Sequence, residues 1–231
     1  MRESFKREGM LLGEPALEKL QGSHVAVFGL GGVGSWCAEA LARSGVGELS
    51  LVDSDDFSES NINRQLGALS STVGLAKTEV TAARLKDINP ELILHAKKAL
   101  YASDMIEGFD YVADCIDTVS AKLDLISTCL ERGVPVISSM GTGNKQRAEL
   151  LEIGDISKTK NDALARVMRK ELRNRGINHV PVVWSPELPL EAEPTDELPP
   201  EGRRSIPGSL VWVPAAAGLL MCQHIVTELI K

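Results

Sequence analysis

The stretch HVAVFGLGGVGSWCAEALARSG, residues 24–45, constrains the fold more than any other part of the sequence. Its first residues form a continuous apolar run of strand length, and its last residues repeat apolar side chains at helical spacing until Gly45. Four glycines lie between the two segments: Gly29, Gly31, Gly32 and Gly34. Glycines permit a tight turn and let backbone N–H groups approach an anion at the N-terminus of a helix. The stretch therefore predicts a strand, a phosphate-binding turn and a helix.

The alternation of strands and helices continues to about residue 140. Four further apolar runs have the length of strands: ELSLVDSD, LILHAKKAL, YVADCID and VPVISSM. Segments with helical spacing alternate with them, and each strand is apolar on both faces. Such strands belong to a mostly parallel sheet that helices cover on both faces. We predict a Rossmann-like α/β fold, with a nucleotide-binding domain over residues 1–140.

The character of the sequence changes after that point. TKNDALARVMRKELRNRG is predicted as a helix, with an apolar face that includes Val167 and Met168 and a basic face opposite. Residues 185–209 are rich in proline and acid, which is typical of a long surface loop or a partly disordered segment. A final apolar helix follows, AAAGLLMCQHIVTELIK. We predict residues 141–231 to be a smaller C-terminal extension that does not fold independently.

Polar and charged residues follow the glycine turn at positions that suit a nucleotide. Asp53 ends the second predicted strand, where a carboxylate binds ribose hydroxyls. A short polar stretch then contains Asn61, Arg64, Gln65 and Lys77. Two cations beside a nucleotide's phosphates favour a triphosphate, whose reacting group needs its charge neutralised. Asp117 follows the fourth strand at the carboxyl edge of the sheet, where a carboxylate holds magnesium between phosphates.

Each of these residues, taken alone, has a second interpretation. Arg64 and Lys77 also fit solvated surface charge, and Asp117 also fits the N-cap of the helix that begins with TVSAK. A nicotinamide-dependent dehydrogenase shares the glycine turn, but it gives no role to the two cations or to Asp117. An RNA-binding module with an inactive nucleotide site leaves the same three residues without a role.

Together the motifs GLGGVG, NINRQ, VGLAKTE and DCIDTV resemble, in order and spacing, the adenylating enzymes related to the ubiquitin-activating enzyme and to the bacterial activators of sulfur-carrier proteins. The resemblance covers about residues 5–140. It implies that Gly32 and Asp53 bind ATP and that Asp117 binds magnesium. It also implies phosphate contacts from Asn61, Arg64 and Lys77. Arg7 corresponds to an arginine that some members contribute across the interface of a homodimer, and it completes the predicted catalytic set.

Two branches of that family differ in the carboxylate that they activate. Many activators of sulfur-carrier proteins have two CxxC pairs that bind zinc, and some have a cysteine that takes over the acyl group. This chain has no CxxC pair, so no zinc is expected. Its four cysteines are Cys37, Cys115, Cys129 and Cys222. Thr118 follows Asp117, where family members commonly have asparagine.

The second branch is more similar to the chain. LLGEPALEKL, NINRQLGALSSTVGLAK, CIDTVSAKLDLI, VPVISSMGTGNK and ALARVMRKELRNRGI resemble the tRNA threonylcarbamoyladenosine dehydratases, and the similarity extends to RRSIPGSLVWVPAAAGL. This resemblance implies that ATP activates the carboxylate of the threonylcarbamoyl group on adenosine 37 of tRNA. The ureido nitrogen of the same group then closes a ring and releases AMP. Proximity makes this step easy without a cysteine nucleophile. An activator of a ubiquitin-like sulfur carrier is the alternative.

A tRNA substrate requires a basic surface, and the predicted helix after residue 160 offers one. Its basic residues are Lys160, Arg166, Arg169, Lys170, Arg173 and Arg175, to which Arg203 and Arg204 would add. Such a face either neutralises an RNA backbone or is the solvated side of an amphipathic helix. The formal net charge of the chain is −7, which argues against indiscriminate nucleic-acid binding.

Location and partners follow from weaker signals. The N-terminal segment lacks a signal-peptide core, and the most apolar stretch, residues 210–222, is too short to span a bilayer. We therefore expect a cytoplasmic protein without a membrane partner. The histidines His24, His95, His179 and His224 are not clustered along the chain and are not expected to be metal ligands. The family resemblance implies a homodimer and leaves open a sulfur-transfer protein as a partner.

Overall fold

The computed structural model describes residues 3–193 and 206–231. In this part of the chain, seven strands form one sheet in the order β3-β2-β1-β4-β5-β7-β6. The strands are β1 (His24–Phe28), β2 (Glu48–Asp53), β3 (Ile93–Lys98), β4 (Tyr111–Asp114), β5 (Val136–Ser139), β6 (Glu152–Asp155) and β7 (Pro181–Trp184). All neighbouring strands are parallel except β6, which is antiparallel to β7. The predicted mostly parallel sheet is confirmed.

Helices cover both faces of this sheet. They are α1 (Lys6–Leu12), α2 (Glu14–Gln21), α3 (Gly34–Arg43), α4 (Lys77–Ile88), α5 (Val119–Glu131), α6 (Ala163–Asn174) and α7 (Trp212–Leu229). Helices α3, α4 and α7 share one core cluster with the sheet. Helix α5 contributes to a second cluster on the other face of the sheet. It also contributes, together with α6, to a third cluster. Val25 and Val27 of β1 enter the first cluster and Ala26 the second. The α/β fold class predicted from the sequence is therefore confirmed.

Strand β3 differs from the expectation that each strand is apolar on both faces. It lies at the edge of the sheet, and most of its side chains are exposed, including Ile93 at 53 %. Helix α4 contacts β3. An edge strand has a neighbouring strand on one side only, and here it exposes polar side chains on both faces, such as Lys97 and Lys98.

The chain after residue 140 extends the sheet, which the sequence analysis did not foresee. Strand β7 pairs with β5 through Ser138↔Val182 and Ser139↔Val183, and β6 closes the far edge. Helix α7 packs against α3, with Ala217 and Met221 in the largest core cluster. The division of the chain at residue 140 stays a prediction.

The fold also bears on the positions of the histidines and on the predicted acidic loop. The histidines are far apart along the chain, but the fold brings the ring centroids of His24 and His95 within 5.6 Å of one another. Neighbouring strands bring together residues that are far apart in the sequence. Of the predicted loop over residues 185–209 only the two ends are described, and Arg203 and Arg204 lie outside the described residues. Among the described helices, none combines the length and apolarity needed to cross a membrane.

Candidate nucleotide-binding site

The turn between β1 and α3 lies against the ends of both neighbouring strands. The Gly29 N–H donates to the Val52 carbonyl oxygen at 2.8 Å. A Cβ on Gly29, whose φ is +86°, would lie 2.8 Å from the Cys115 carbonyl oxygen, and a Cβ on Gly34 would lie 1.8 Å from the Gly29 carbonyl oxygen. Both positions therefore require glycine. Within the described residues no side chain caps the N-terminus of α3, so an anion can bind at that helix end.

Asp53, the last residue of β2, fixes the position of this turn. Its Oδ2 accepts a hydrogen bond from the Leu30 N–H at 2.6 Å, and its Oδ1 accepts one from the Asp55 N–H at 2.8 Å. The Asp53 side chain is only 8 % exposed. Because each carboxylate oxygen has a second lone pair, the same group can also accept from a ribose hydroxyl beside the turn.

Lys77, the first residue of α4, is a buried cation next to Asp53. Its Nζ lies 2.9 Å from Oδ2 of Asp55 and 3.9 Å from Oδ1 of Asp53. Burial raises the pKa of the Asp55 carboxyl, but the hydrogen bond and charge of Lys77 outweigh this effect, so the pKa is lowered overall. The sequence analysis selected Lys77 and missed Asp55, which follows Asp53 in DSDD. A phosphate at this point would meet an ammonium group that is already held in place.

The two predicted amide side chains of the NINRQ segment have different settings, and only Gln65 is beside the turn. Asn61 ends a short 3-10 helix, Glu59–Asn61, and its Oδ1 accepts from the Ser58 N–H at 3.2 Å. Gln65 is buried, and its Nε2 lies 3.8 Å from where a Cβ on Gly31 would be. The Gln65 Oε1 is buried as well and has no hydrogen-bond partner in the described part of the chain. A buried acceptor without a donor is costly, so a ligand donor beside the turn would satisfy it.

Arg64 lies next to the same turn. Its Nη1 donates to the Ser60 carbonyl oxygen at 2.8 Å and to Oδ1 of Asn63 at 2.9 Å. Its Cγ lies 3.5 Å from where a Cβ on Gly32 would be. The aliphatic part of the Arg64 side chain therefore lies within van der Waals range of the turn.

Asp117 follows β4 and is exposed at the carboxyl edge of the sheet. The backbone just before it is held by Asp114, whose Oδ1 accepts from the Ile116 N–H at 3.2 Å and whose Oδ2 accepts from the Ser138 hydroxyl at 2.6 Å. Lys122 Nζ lies 2.9 Å from the same Oδ2, and both charged side chains are fully buried. The sequence analysis missed this ion pair, although a lysine between apolar residues in VSAKLDLI is a signal for it.

Sheet topology explains why these groups lie together. Strands β1 and β4 are parallel neighbours, and the helices that follow them, α3 and α5, cover opposite faces of the sheet. In open α/β sheets a crevice opens at the carboxyl ends of two such strands, and ligands bind there. The glycine turn follows one strand and Asp117 follows the other.

Comparison with known proteins agrees with this geometry. The ThiF family matches residues 5–230. The chain belongs to this family.

Three relatives define its position further. The tRNA threonylcarbamoyladenosine dehydratase of Bacillus subtilis (strain 168) is 44% identical over 244 residues, which cover 100% of this chain and 96% of that protein. A crystal structure of E. coli tRNA N6-threonylcarbamoyladenosine dehydratase in complex with ATP has a TM-score of 0.88 and 34% sequence identity, and the match covers 99% of this chain and 94% of that one. The adenylyltransferase and sulfurtransferase UBA4 of Lodderomyces elongisporus is 32% identical over 149 residues, covering 60% of this chain and 33% of that protein. The predicted resemblance to the dehydratases is confirmed.

The predicted basic helix is α6. Asp162 caps it by accepting from the Ala165 N–H at 2.8 Å. Ala165, Met168 and Leu172 face the core, whereas Val167, predicted on the apolar face, is 40 % exposed. The exposed predicted cations are Lys160, Arg166, Lys170, Arg173 and Arg175. Arg169 has a different setting, since it is half-buried and its Nη1 donates to the Thr159 carbonyl oxygen at 2.7 Å.

A buried ion pair connects the start of α6 to the carboxyl edge of the sheet. Lys145 Nζ lies 2.8 Å from Oδ2 of Asp162 and also donates to the Ser185 carbonyl oxygen at 3.2 Å. An Asp162 oxygen lies 3.4 Å from where a Cβ on Gly141 would be, just after β5. The basic face of α6 therefore begins close to the edge that carries Asp117.

Arg7 lies apart from the other predicted residues. It is exposed on α1, and Phe5, just before that helix, packs 3.6 Å from where a Cβ on Gly45 would be. Gly45 follows the C-terminal end of α3, whereas the glycine turn precedes its N-terminal end. Ten helical residues, about 15 Å, separate the two ends. The structure does not bring Arg7 to the turn of its own chain.

The segment that leads into α7 returns to the site, and the sequence analysis missed the residues that hold it. Asn144 binds Gly208 twice: its N–H donates to the Gly208 carbonyl oxygen at 2.8 Å, and its Oδ1 accepts from the Gly208 N–H at 2.6 Å. Asn63 of NINRQ donates to the Ser209 carbonyl oxygen at 3.0 Å. The Trp212 indole donates to the Gln146 carbonyl oxygen at 2.7 Å. This segment therefore forms one wall of the crevice.

The buried pair of Asp114 and Lys122 yields a stability prediction. Replacing Lys122 by Met leaves a carboxylate without its cation in a fully buried position, and we expect this to lower the free energy of unfolding by about 3–5 kcal/mol. The double variant Asp114→Asn/Lys122→Met removes both charges and should recover most of that loss. Urea unfolding followed by circular dichroism at pH 7 measures both effects.

The matched control is an exposed ion pair. Arg147 and Glu149 side chains are 56 % and 64 % exposed, so Arg147→Met should leave the unfolding midpoint unchanged. A Lys122→Met protein as stable as this control would show that the buried pair does not hold the Asp117 turn.

Proposed function

We propose that this chain uses ATP to adenylate the carboxylate of the threonylcarbamoyl group on adenosine 37 of tRNA, and that the activated carboxylate is then closed into a ring. One observation carries the proposal. A glycine turn, the Asp53 carboxylate and the Gln65 Oε1, which has no hydrogen-bond partner among the described residues, converge at the switch point of the sheet, in a chain that matches a tRNA threonylcarbamoyladenosine dehydratase along its whole length. The experiment that tests the proposal is turnover of modified tRNA by this protein.

ATP fits the geometry of the turn. The phosphates take the N-terminus of α3, where the backbone can be approached because no side chain projects from the glycines. Asp53 accepts from the ribose hydroxyls with its remaining lone pairs. Gln65 Oε1 accepts a hydrogen bond from the ligand, which removes the cost of a buried acceptor without a donor.

Lys77 and Arg64 supply positive charge at the phosphates. A lysine ammonium has three donors, so Lys77 can keep Asp55 and bind a phosphate oxygen at the same time. Arg64 presents a planar fork of donors that suits phosphate oxygens. Asn61 orders the backbone that carries both Arg64 and Gln65, because its carbonyl oxygen accepts from their N–H groups at 3.0 and 2.9 Å. The role of Lys77 and Arg64 is to neutralise the negative charge that develops on the leaving pyrophosphate.

Asp117 is proposed as the magnesium ligand. Mg²⁺ is usually bound by one or two carboxylates together with substrate phosphates, and an exposed carboxylate at the carboxyl edge of β4 fits that donor set. When bound there, the ion would help to neutralise the charge of the substrate's phosphates. The Asp114–Lys122 pair beneath it keeps the Asp117 turn in one position.

The reaction follows from these positions. A carboxylate oxygen of the threonylcarbamoyl group attacks the α-phosphorus of ATP, and pyrophosphate leaves with the electron pair of the broken P–O bond. The ureido nitrogen of the same group attacks the carboxyl carbon and loses its proton, and the C–O bond to AMP breaks. Ring closure is intramolecular, so its effective concentration is high and no protein nucleophile is required.

The cysteines also argue against a covalent acyl transfer to this chain. Burial raises the pKa of the Cys129 and Cys222 thiols to about 12. The Cys37 pKa is raised as well, by its hydrogen bond with Cys115 and by burial. Cys115 donates its S–H to the Met221 sulfur at 3.6 Å. Because a thiolate is the reactive form, activation of a sulfur-carrier protein through a thioester is the less favoured function.

The exposed cations of α6 are proposed to bind the tRNA backbone. Arg166, Lys170 and Arg173 follow one another at intervals of four and three residues, so they form one stripe on the helix. Lys160, just before the helix, and Arg175, just after it, are further exposed cations at its two ends. Arg169 is proposed to fix the helix through Thr159 instead of binding RNA.

The assembly is proposed to be a cytoplasmic homodimer. Arg7 does not reach the turn of its own chain, so it acts in the site of a second copy. Met10 and Leu11, on the same helix, are 79 % and 88 % exposed, which gives a second copy apolar surface to cover.

The catalytic assignment predicts which substitutions stop turnover. Lys77→Ala and Asp117→Asn should each lower the rate of threonylcarbamoyladenosine dehydration by at least about 100-fold, because each removes charge stabilisation in the transition state. The assay is mass analysis of nucleosides from modified tRNA incubated with enzyme and Mg-ATP, in which the product is lighter by one water.

Lys86→Ala is the matched control, since Lys86 is exposed near the other end of α4, where its ammonium donates to the Pro90 carbonyl oxygen at 3.3 Å. It should turn over like the wild type. Asp117 is exposed, so Asp117→Asn should fold like the wild type, and a loss of turnover in this variant would report on catalysis. Full activity of Asp117→Asn would remove this residue from the site.

The basic stripe predicts a salt-dependent effect. Lys170→Gln/Arg173→Gln should weaken tRNA binding and make the dependence of log K on log salt shallower by about 1 for each lost phosphate contact. Lys86→Gln/Lys97→Gln removes the same number of positive charges near the edge strand β3. This control should leave the slope of log K against log salt unchanged. Filter binding at several salt concentrations measures both. Equal slopes for the two double variants would mean that the stripe is only solvated.

A further inference from the structure

Three side chains on neighbouring strands form a cluster away from the nucleotide crevice. His24 is the first residue of β1, Glu48 is the first residue of β2, and His95 lies on β3. His24 pairs with Glu48 across the strands, and His95 pairs with Ser50, two residues further along β2. Paired residues of parallel strands point to the same face, so all three side chains lie on one face of the sheet.

The ligand atoms of the cluster converge on one carboxylate oxygen. Glu48 Oε1 lies 2.7 Å from Nε2 of His95 and 3.5 Å from Nδ1 of His24. One ligand atom from each of the three residues can be chosen so that all lie within 4.8 Å of one another. In a tetrahedral zinc site with bonds of 2.0–2.1 Å, neighbouring ligand atoms are about 3.3 Å apart. A small side-chain adjustment therefore suffices to place all three around one ion.

The surroundings of His24 orient its ring for such a role. Its Nε2 lies 2.9 Å from the Ser50 hydroxyl, which leaves Nδ1 on the side of Glu48. Phe109 packs edge-on against the imidazole, with ring centroids 4.9 Å apart. Metal-bound histidines commonly use their second nitrogen in a hydrogen bond of this kind, which fixes the ring orientation.

Charge and access also suit a cation. Asp110 accepts from the His24 backbone N–H at 2.8 Å and adds a second carboxylate close to the cluster. The side chains of His24, Glu48 and His95 are 19 %, 32 % and 56 % exposed. An ion would thus enter from the side of His95, at the edge strand, and reach two ligands that are half-buried on rigid strands.

We propose that His24, Glu48 and His95 form a binding site for a single zinc-like divalent ion, with water as the fourth ligand. Two imidazoles and one carboxylate are ligands that Zn²⁺ accepts in tetrahedral sites, and Co²⁺ and Ni²⁺ bind the same donors. The site lies at the starts of the strands, whereas the glycine turn follows the end of β1. It therefore ties the edge strand β3 to β1 and β2 and takes no part in adenylation.

Zinc titration of the full-length, untagged protein tests the site. After treatment with EDTA and buffer exchange, isothermal titration with Zn²⁺ alone should show one equivalent bound and a rise in melting temperature. His95→Asn and Glu48→Gln should each weaken this binding at least tenfold. His179→Asn is the matched control, because His179 is an exposed histidine beside Asp155 and should bind zinc like the wild type.

Two further measurements distinguish a loss of metal binding from a loss of folding. His95 is exposed, so His95→Asn should melt like the wild type in EDTA. Co²⁺ added to the wild type should give the visible absorption of a tetrahedral complex, and His95→Asn should abolish it. The proposal is overturned if the wild type binds no zinc equivalent, or if the His95 and Glu48 variants bind it as tightly as His179→Asn does.

Discussion

The contact of the glycine turn with the ends of β2 and β4 is the constraint on which the site depends. The Gly29 N–H bonds to β2, the Leu30 N–H bonds to Asp53, and the Gly29 backbone lies against the Cys115 carbonyl group after β4. Three strand ends are thereby fixed relative to one another. Asp53 and Asp117 are each attached to one of these ends, so the groups proposed to bind ribose and magnesium keep their distance from the phosphate turn.

Buried lysine–aspartate pairs add a second level of order at the carboxyl edge. In the described part of the chain two such pairs are buried on both sides, Lys122 with Asp114 and Lys145 with Asp162, and in a third the buried Lys77 meets Asp55, which is 63 % exposed. The three pairs lie at or near the starts of α5, α6 and α4. A buried pair contributes little net stability compared with apolar packing, but breaking one is costly. The pairs therefore restrict where these helices begin more than they stabilise the fold.

The parts of this arrangement that were predicted from the sequence are those with local signals. The glycine turn, the helix after it and Asp53 follow from strand and helix periods and from glycine placement within some thirty residues. The NINRQ residues carried only the weaker signal of a short polar stretch with a cation, and resemblance to a family added phosphate contacts for Asn61 and Arg64. Gln65, whose buried Oε1 has no partner in the described residues, was selected from the polar stretch alone.

What could not be predicted depends on contacts between distant segments. Asn144 holds Gly208, and His95 meets His24, only because sheet and loop bring them together. Strand β7 depends on its pairing with β5, and β6 depends on its pairing with β7, so neither is defined by its own four residues. Arg169 is basic in sequence like its neighbours, yet its contact with Thr159 gives it a different role. Periodicity reports local structure and does not report which side chains meet.

The central claim is that a carboxylate on tRNA attacks the α-phosphorus of ATP at this turn. The most direct test uses threonylcarbamoyladenosine tRNA with both carboxylate oxygens labelled with oxygen-18, incubated with the enzyme and unlabelled Mg-ATP. Mass analysis of the released nucleotide should find one labelled oxygen in each AMP, because the C–O bond to AMP breaks when the ring closes. Label in inorganic phosphate with ADP as the product, or unlabelled AMP, would contradict the account.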